Sequence, residues 1–251
     1  MNQKWNAENY SSGFSFVYKY GNDVLNLIEG ENVHDVIDLG CGTGVLTNAL
    51  SERGYNVTGI DASDEMLEKA RASFPAVNFV KGDAVSFVVD SPVDVVFSNA
   101  VLHWIDKKLQ PEMMRRVYGA LRPGGQFVFE MAGYGCGKAI HDELAVNFRV
   151  LGYDYVMPFF LPKIGEYAAM LEACGFTARY AILFDRPTEL KGDDGLRDWI
   201  RMFIKRPFSG VKDDDRDEIL RRTNENLRGK LFHGGKWYAD YVRLRMRAIK
   251  Q

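Results

Sequence analysis

Between residues 36 and 131, short apolar runs alternate with amphipathic stretches five times, and few folds accommodate that rhythm. Val36-Ile37-Asp38-Leu39 is a short apolar run stopped by glycines, the pattern of a buried strand. Val45 to Arg53 follows with Leu46, Ala49 and Leu50 on one helical face, and Gly54 sits where a helix ends. Tyr55 to Ile60 reads as a second strand. Ser63 is suited to cap the next helix, Asp64 and Glu65 favour the positive end of its dipole, and Met66, Leu67 and Ala70 form its apolar face. Val77 to Val80 and Val93 to Ser98 read as strands three and four. Gln110 to Leu121 reads as a helix with Pro111 at its start, and Gly124-Gly125 turns the chain into a fifth strand, Gln126 to Met131. Strands and helices in alternation predict a parallel sheet covered on both faces.

Beyond Gly133 the rhythm loosens. Lys138 to Leu151, Ile164 to Cys174, Asp194 to Phe203 and Asp213 to Arg228 read as helices, and Phe176 to Phe184 as a strand. Val242, Leu244, Met246 and Ala248 alternate with Arg243, Arg245 and Arg247, which predicts a strand with one apolar face and one solvated, basic face.

The loop Asp38-Leu39-Gly40-Cys41-Gly42-Thr43-Gly44 joins the first strand to the first helix. Glycines there permit a tight turn and let a ligand approach the backbone. Asp61 ends the second strand 21 positions after Gly40, a spacing at which a carboxylate accepts from ribose hydroxyls. A nucleoside-containing cofactor at the carboxyl edge of the sheet follows. A dinucleotide fingerprint needs a third glycine where this chain has Val45, and Asp38 would repel a pyrophosphate but attract an ammonium or sulfonium group.

These residues resemble motif I of the class I S-adenosylmethionine-dependent methyltransferases. Val57 to Ser63 with Met66-Leu67 resembles their second-strand motif, Gly82-Asp83-Ala84 their adenine loop, Phe97 to Trp104 their fourth-strand motif, and Leu121-Arg122-Pro123-Gly124-Gly125 the turn before strand five. The resemblance implies S-adenosylmethionine as cofactor. Gly40, Cys41, Gly42 and Gly44 would border its methionine part, with Asp38 near the amino group. Asp61 would hold the ribose, Ala62 and Met66 would wall the adenine, and Asp83 with Ala84 would meet its amino group. Asn99 and Ala100 would lie near the transferable methyl. It also implies a Rossmann-like, doubly wound α/β fold with seven mostly parallel strands, the last antiparallel, and a helical cap. Phe176 to Phe184 and Tyr238 to Ile249 are then strands six and seven. The chain divides into a lid segment (1–30), the cofactor-binding core (31–135), and cap insertions with strands six and seven (136–251). Trp5, Tyr10, the Asn99 to Trp104 run, Leu161 to Phe176 and Asp198 to Arg201 further resemble the trans-aconitate 2-methyltransferase group.

The implied function is methyl transfer to a small molecule, at a carboxylate or hydroxyl oxygen. His103 is the candidate general base, or else a pocket wall. Trp104 either stacks on the acceptor or fills the core. Tyr10 and Trp199 extend an aromatic acceptor wall, and Arg201 is the first choice of cation for a carboxylate, a solvated surface being its other reading. Phe159 to Leu161 line that pocket or pack the core, and Cys41 is a small loop residue, not a nucleophile. Trp5, Tyr10, Phe14, Phe16 and Tyr18 suggest a leader that closes over the cofactor, or a helix packed permanently on the core. Three other readings remain open: a non-catalytic S-adenosylmethionine-binding regulator, a nicotinamide-dependent oxidoreductase, and a methyltransferase with a macromolecular acceptor.

Composition narrows these. A net charge of −2 gives no electrostatic case for nucleic acid. The charged fraction of 26% is ordinary for a soluble globular chain. No run approaches the roughly 18 apolar residues of a membrane span. The N-terminus has no signal-like apolar region. Three scattered cysteines suggest reduced thiols in a cytoplasm rather than disulfides or zinc, and no metal cluster is visible. A monomer or homodimer is expected.

Overall fold

The computed structural model describes residues 16–251, with side chains from residue 21 onward. The aromatic leader, including Tyr10, therefore lies outside the described side chains. The chain runs α1 (Phe16–Leu25), β1 (Asp35–Leu39), α2 (Val45–Glu52), β2 (Asn56–Asp61), α3 (Asp64–Ser73), β3 (Asn78–Lys81), β4 (Val93–Asn99), α4 (Gln110–Ala120) and β5 (Leu121–Ala132). Then follow α5 (Lys138–Val150), α6 (Ile164–Ala173), β6 (Phe176–Asp185), β7 (Thr188–Leu190), α7 (Gly195–Phe203), α8 (Asp213–Leu231), β8 (Phe232–His233), β9 (Lys236–Ala239) and β10 (Val242–Lys250).

The expected local signals are present. The Ser63 hydroxyl accepts from the Met66 N–H at 3.4 Å and starts α3, while Gly54, at φ 92°, follows the last turn of α2. Val36, Leu46, Leu50, Val57, Val95, Phe97 and Val128 close one apolar core with Val24 and Leu25 of α1. Burying a side chain as fully as Leu50 is worth about 1.5–3 kcal/mol.

Seven strands pair in the order β3-β2-β1-β4-β5-β10-β6, mostly parallel with one antiparallel strand. β1 pairs in parallel with both β2 and β4, so the strand order reverses there, which is where open α/β sheets bind their ligands. At the opposite ends of these strands, Arg122 forms ion pairs with Asp35 and Asp94, and Asp94 also accepts the His34 and Asp35 N–H groups.

Three expectations need correction. β5 starts at Leu121, not Gln126, because the ladder with β4 bulges: Val93 pairs with Leu121 and Val95 with Gln126. The stretch from Tyr238 to Ile249 is not one strand. Its first part belongs to β9, in a separate sheet of order β7-β9-β8, and only β10 joins the large sheet. The basic face of β10 is not solvated. Arg243 is buried, Arg245 pairs with Glu130, itself 1% exposed, through two bonds of 2.9 and 2.7 Å, and Arg247 pairs with Glu29. Alternation alone does not reveal that an acid waits on the neighbouring strand.

Two compact units result. The first comprises Met1–Met131, Pro162–Leu183 and Leu244–Gln251; the second comprises Ala132–Leu161 and Phe184–Arg243. In the second, α5 and α8 pack together, and β7, β8 and β9 form their small sheet.

Candidate functional site

The loop after β1 is clamped to the end of β2. The Gly40 and Cys41 N–H groups both donate to the Ile60 carbonyl, at 2.7 and 3.0 Å. Gly40, Gly42 and Gly44 all have positive φ, at 78°, 55° and 80°. Their surroundings differ. A Cβ on Gly40 would come within 2.3 Å of Val101, and one on Gly44 within 2.6 Å of Phe79, whereas one on Gly42 would meet nothing within 4 Å. Gly40 and Gly44 are thus required by packing, and Gly42 leaves open space beside the backbone. Cys41 is buried, and burial, with Asp38 and Asp61 nearby, pushes its thiol far above the usual range, so it supplies no thiolate.

Asp61 accepts the Gly42 N–H through one oxygen and the Ser63 N–H through the other, both at 2.8 Å. Burial raises its pKa and these backbone donors oppose the rise. A carboxylate has about four acceptor positions, so this fixed group retains capacity for a hydroxyl. Asp38 is 2% exposed and accepts from the Thr47 hydroxyl at 2.7 Å. Burial lifts it to about 7, the Thr47 bond works against that, and Asp61 adds to it. A buried carboxylate held in this way takes up a cation readily.

Met66 is buried at the start of α3, Ala62 is half-buried, and Asp83 accepts the Val85 N–H at 3.0 Å, shaping the turn that contains Ala84. β4 ends at the buried Asn99. Ala100 follows at φ 61°, the one non-glycine with positive φ among the described residues, and donates its N–H to the Glu130 carbonyl at 2.8 Å. Backbone held in that region costs about 1–3 kcal/mol and collects at functional sites. The strained corner leads into a short 3₁₀ turn, Leu102–Trp104, in which His103 is buried and its ring centre lies 5.5 Å from that of Trp104.

The fastening of this turn has no motif in the sequence. The Gln110 amide donates to the Leu102 and Ile105 carbonyls at 2.7 and 2.9 Å, and the buried Tyr167 hydroxyl donates to the Gln110 carbonyl oxygen at 2.8 Å. Thr47, which holds Asp38, likewise belongs to no motif. Both Thr47 and Gln110 are polar residues on buried helix faces, and that mismatch is the available signal.

In the second unit, Trp199 is buried and its indole N–H donates to the Tyr241 hydroxyl at 2.5 Å. Arg201 is half exposed, 3.6 Å from Asp198, and lines a cavity of about 290 Å³ with Ile204, Lys205, Phe208 and Arg216. Among the described residues, no three His, Cys, Asp or Glu side chains gather as a metal site, and no helix is long and apolar enough to cross a membrane. The donor set fits S-adenosylmethionine: an acid for its ammonium group, an acid for its ribose, and open backbone at Gly42.

Comparison with known proteins agrees. A methyltransferase-domain family profile matches residues 36–125. A methyltransferase of Schizosaccharomyces pombe, C70.08c, is 34% identical over 98% of both chains. A trans-aconitate 2-methyltransferase of Deinococcus radiodurans is 28% identical over 96% of both. The fold is shared with a methyltransferase structure from Bacillus halodurans at TM-score 0.64 and 18% identity, over 91% of this chain and 97% of that one. The chain belongs to the S-adenosylmethionine-dependent methyltransferases.

Proposed function

We propose that this methyltransferase acts on a small molecule and methylates oxygen, at a carboxylate or a hydroxyl. One observation carries the reading: beyond the strained Ala100, the chain holds a buried imidazole, His103, beside the Trp104 ring. Aromatic walls with few polar groups suit small-molecule pockets. The full-length similarity to a trans-aconitate 2-methyltransferase supports a carboxylate acceptor.

Bound S-adenosylmethionine supplies a methyl group already activated on a sulfonium. The chain has to orient the acceptor in line and exclude water. We assign Asp38 to the amino group, Asp61 to the ribose hydroxyls, Ala62 and Met66 to the adenine faces, and Asp83 with Ala84 to the adenine amino group. Gly40, Cys41, Gly42 and Gly44 border the methionine part, and Asn99 and Ala100 lie near the methyl. Trp104 is assigned to the acceptor. A carboxylate acceptor is ionised at neutral pH and needs no base. A hydroxyl does, and His103 is the group assigned to take its proton. Three free cysteines accord with a cytoplasmic location.

A panel of small organic acids and phenols, assayed for S-adenosylhomocysteine release, tests this reading. Release is expected with an acid or a phenol. Methylation of peptides or nucleic acid alone would overturn it. His103→Ala should slow methylation of a hydroxyl acceptor about 10²-fold or more and spare a carboxylate acceptor. A phenol still methylated at full rate by that variant removes the base role.

A further inference from the structure

The two edges of the large sheet are finished differently. β3 is four residues long, the Arg71 guanidinium caps its Phe79 carbonyl at 2.9 Å, and Lys81 at its end pairs with Asp64. Short length and charge are the usual means of keeping an edge from recruiting another strand. β6, at the opposite edge, has ten residues. Its middle, Arg179 to Ile182, is exposed on both faces, including Tyr180 at 36% and Ile182 at 39%. Phe176, Ala178, Tyr180, Ile182 and Phe184 form an apolar stripe on one face. Arg179 and Asp185 share the other face, and neither has an ion-pair partner among the described residues.

We propose that β6 pairs antiparallel with β6 of a second copy of this chain, joining two sheets into one across a two-fold axis at Ile182. The strand's own sequence selects that register. With Ile182 opposite Ile182, Tyr180 meets Phe184 on the apolar face and Arg179 meets Asp185 on the other, each pair occurring twice. Opposed residues in an antiparallel pair have Cβ atoms about 4.5–5.5 Å apart, close enough for ring contact and ion pairing. A shift of two residues either way loses both direct pairs. The outward N–H and C=O groups of the edge gain backbone partners, as in other strand additions. The partner is a second copy because the strand is complementary to itself in length, apolar face and charge.

The test is sedimentation equilibrium on the full chain, with light scattering as a check, from about 1 to 100 μM, the range in which a modest interface is measured. A concentration-dependent dimer is expected. Arg179→Glu, at an exposed position, should weaken it about tenfold or more, because symmetry counts the lost pair twice and places like charges together. The double reversal Arg179→Glu with Asp185→Arg should restore it. Ile182→Lys should weaken it independently, and thermal melting checks that each variant is folded. A monomer at every concentration overturns the proposal. So does a dimer that neither Arg179→Glu nor Ile182→Lys weakens, or one that the double reversal fails to restore.

Discussion

Asp38 in the first unit and His141 in the second are set up alike. Asp38 is 2% exposed and bonded to the Thr47 hydroxyl at 2.7 Å; His141 is 4% exposed and bonded to the Tyr155 hydroxyl at 2.6 Å. Burial disfavours the charged form of each, pushing Asp38 up to about 7 and His141 down to about 4. The outcomes differ at neutral pH. Asp38 is raised toward neutrality, so a nearby cation would favour its charged form. His141 stays neutral among the rings of Tyr155, Phe159 and Trp199. In the proposed assignment the first unit keeps an acid whose counter-charge is the cofactor's ammonium group, and the second builds a neutral aromatic cluster around His141.

Asp38→Asn should break the first half of this contrast with the largest effect. Affinity for S-adenosylhomocysteine, measured by calorimetry above pH 7, should fall by about 2–3 kcal/mol, the scale of a hydrogen bond between charged groups. His141→Phe should leave that affinity within about twofold, because no charged partner is removed. Equal losses in the two variants would mean that the units are not divided in this way.

The next effect is on stability against pH. Folded Asp38 keeps until about pH 7 a proton that the unfolded chain releases near 3.8, so its contribution is full below that value and is lost as pH rises to 7. His141 runs the other way. The unfolded imidazole binds its proton near 6.5 and the folded one near 4, so its contribution is full above 6.5 and is lost as pH falls to 4. Unfolding free energies from urea titrations between pH 4 and 7 should therefore rise with pH for Asp38→Asn and fall for His141→Phe, by about 3 kcal/mol across the range in each case. Parallel profiles for the two variants would refute the opposed titrations.

The smallest effect sharpens the second half. Tyr155→Phe removes the hydroxyl on His141 and leaves the ring in place, so denaturant unfolding should show a loss of about 1–2 kcal/mol with methyl-transfer kinetics unchanged at saturating cofactor. A fall in turnover larger than the fall in stability would move this pair from structure into chemistry.

The glycine loop, the cap at Ser63 and the strand–helix alternation were legible because backbone rules act within a few residues. Gly40 and Gly44 are needed where Val101 and Phe79 come close, and the sequence marks such needs with glycine. The pairing of Arg245 with Glu130 was not legible, since it depends on which strand lies next to β10, and that strand is 115 positions away. The hold of Tyr167 and Gln110 on the His103 turn was hidden for the same reason: three distant segments meet through side-chain hydrogen bonds that leave no spacing pattern. Of the assigned site residues, those on the loops after β1, β2 and β4 could be read from local motifs. Trp199 and Arg201 rest on helix α7, whose periodicity shows which face is buried but not what the exposed face meets.

The insertion of β10 between β5 and β6 has a consequence for synthesis on the ribosome. β6 emerges before β10, its only neighbour in the sheet among the described residues, and everything from β7 to β9 must be translated before that neighbour follows. For that interval both edges of β6 are open, and its apolar stripe has no strand beside it. Under the proposed self-pairing of β6, nascent chains on one polysome present matching strands to one another before either sheet is complete. Slowing elongation just after residue 185 lengthens that exposure, and hastening the stretch up to residue 250 shortens it.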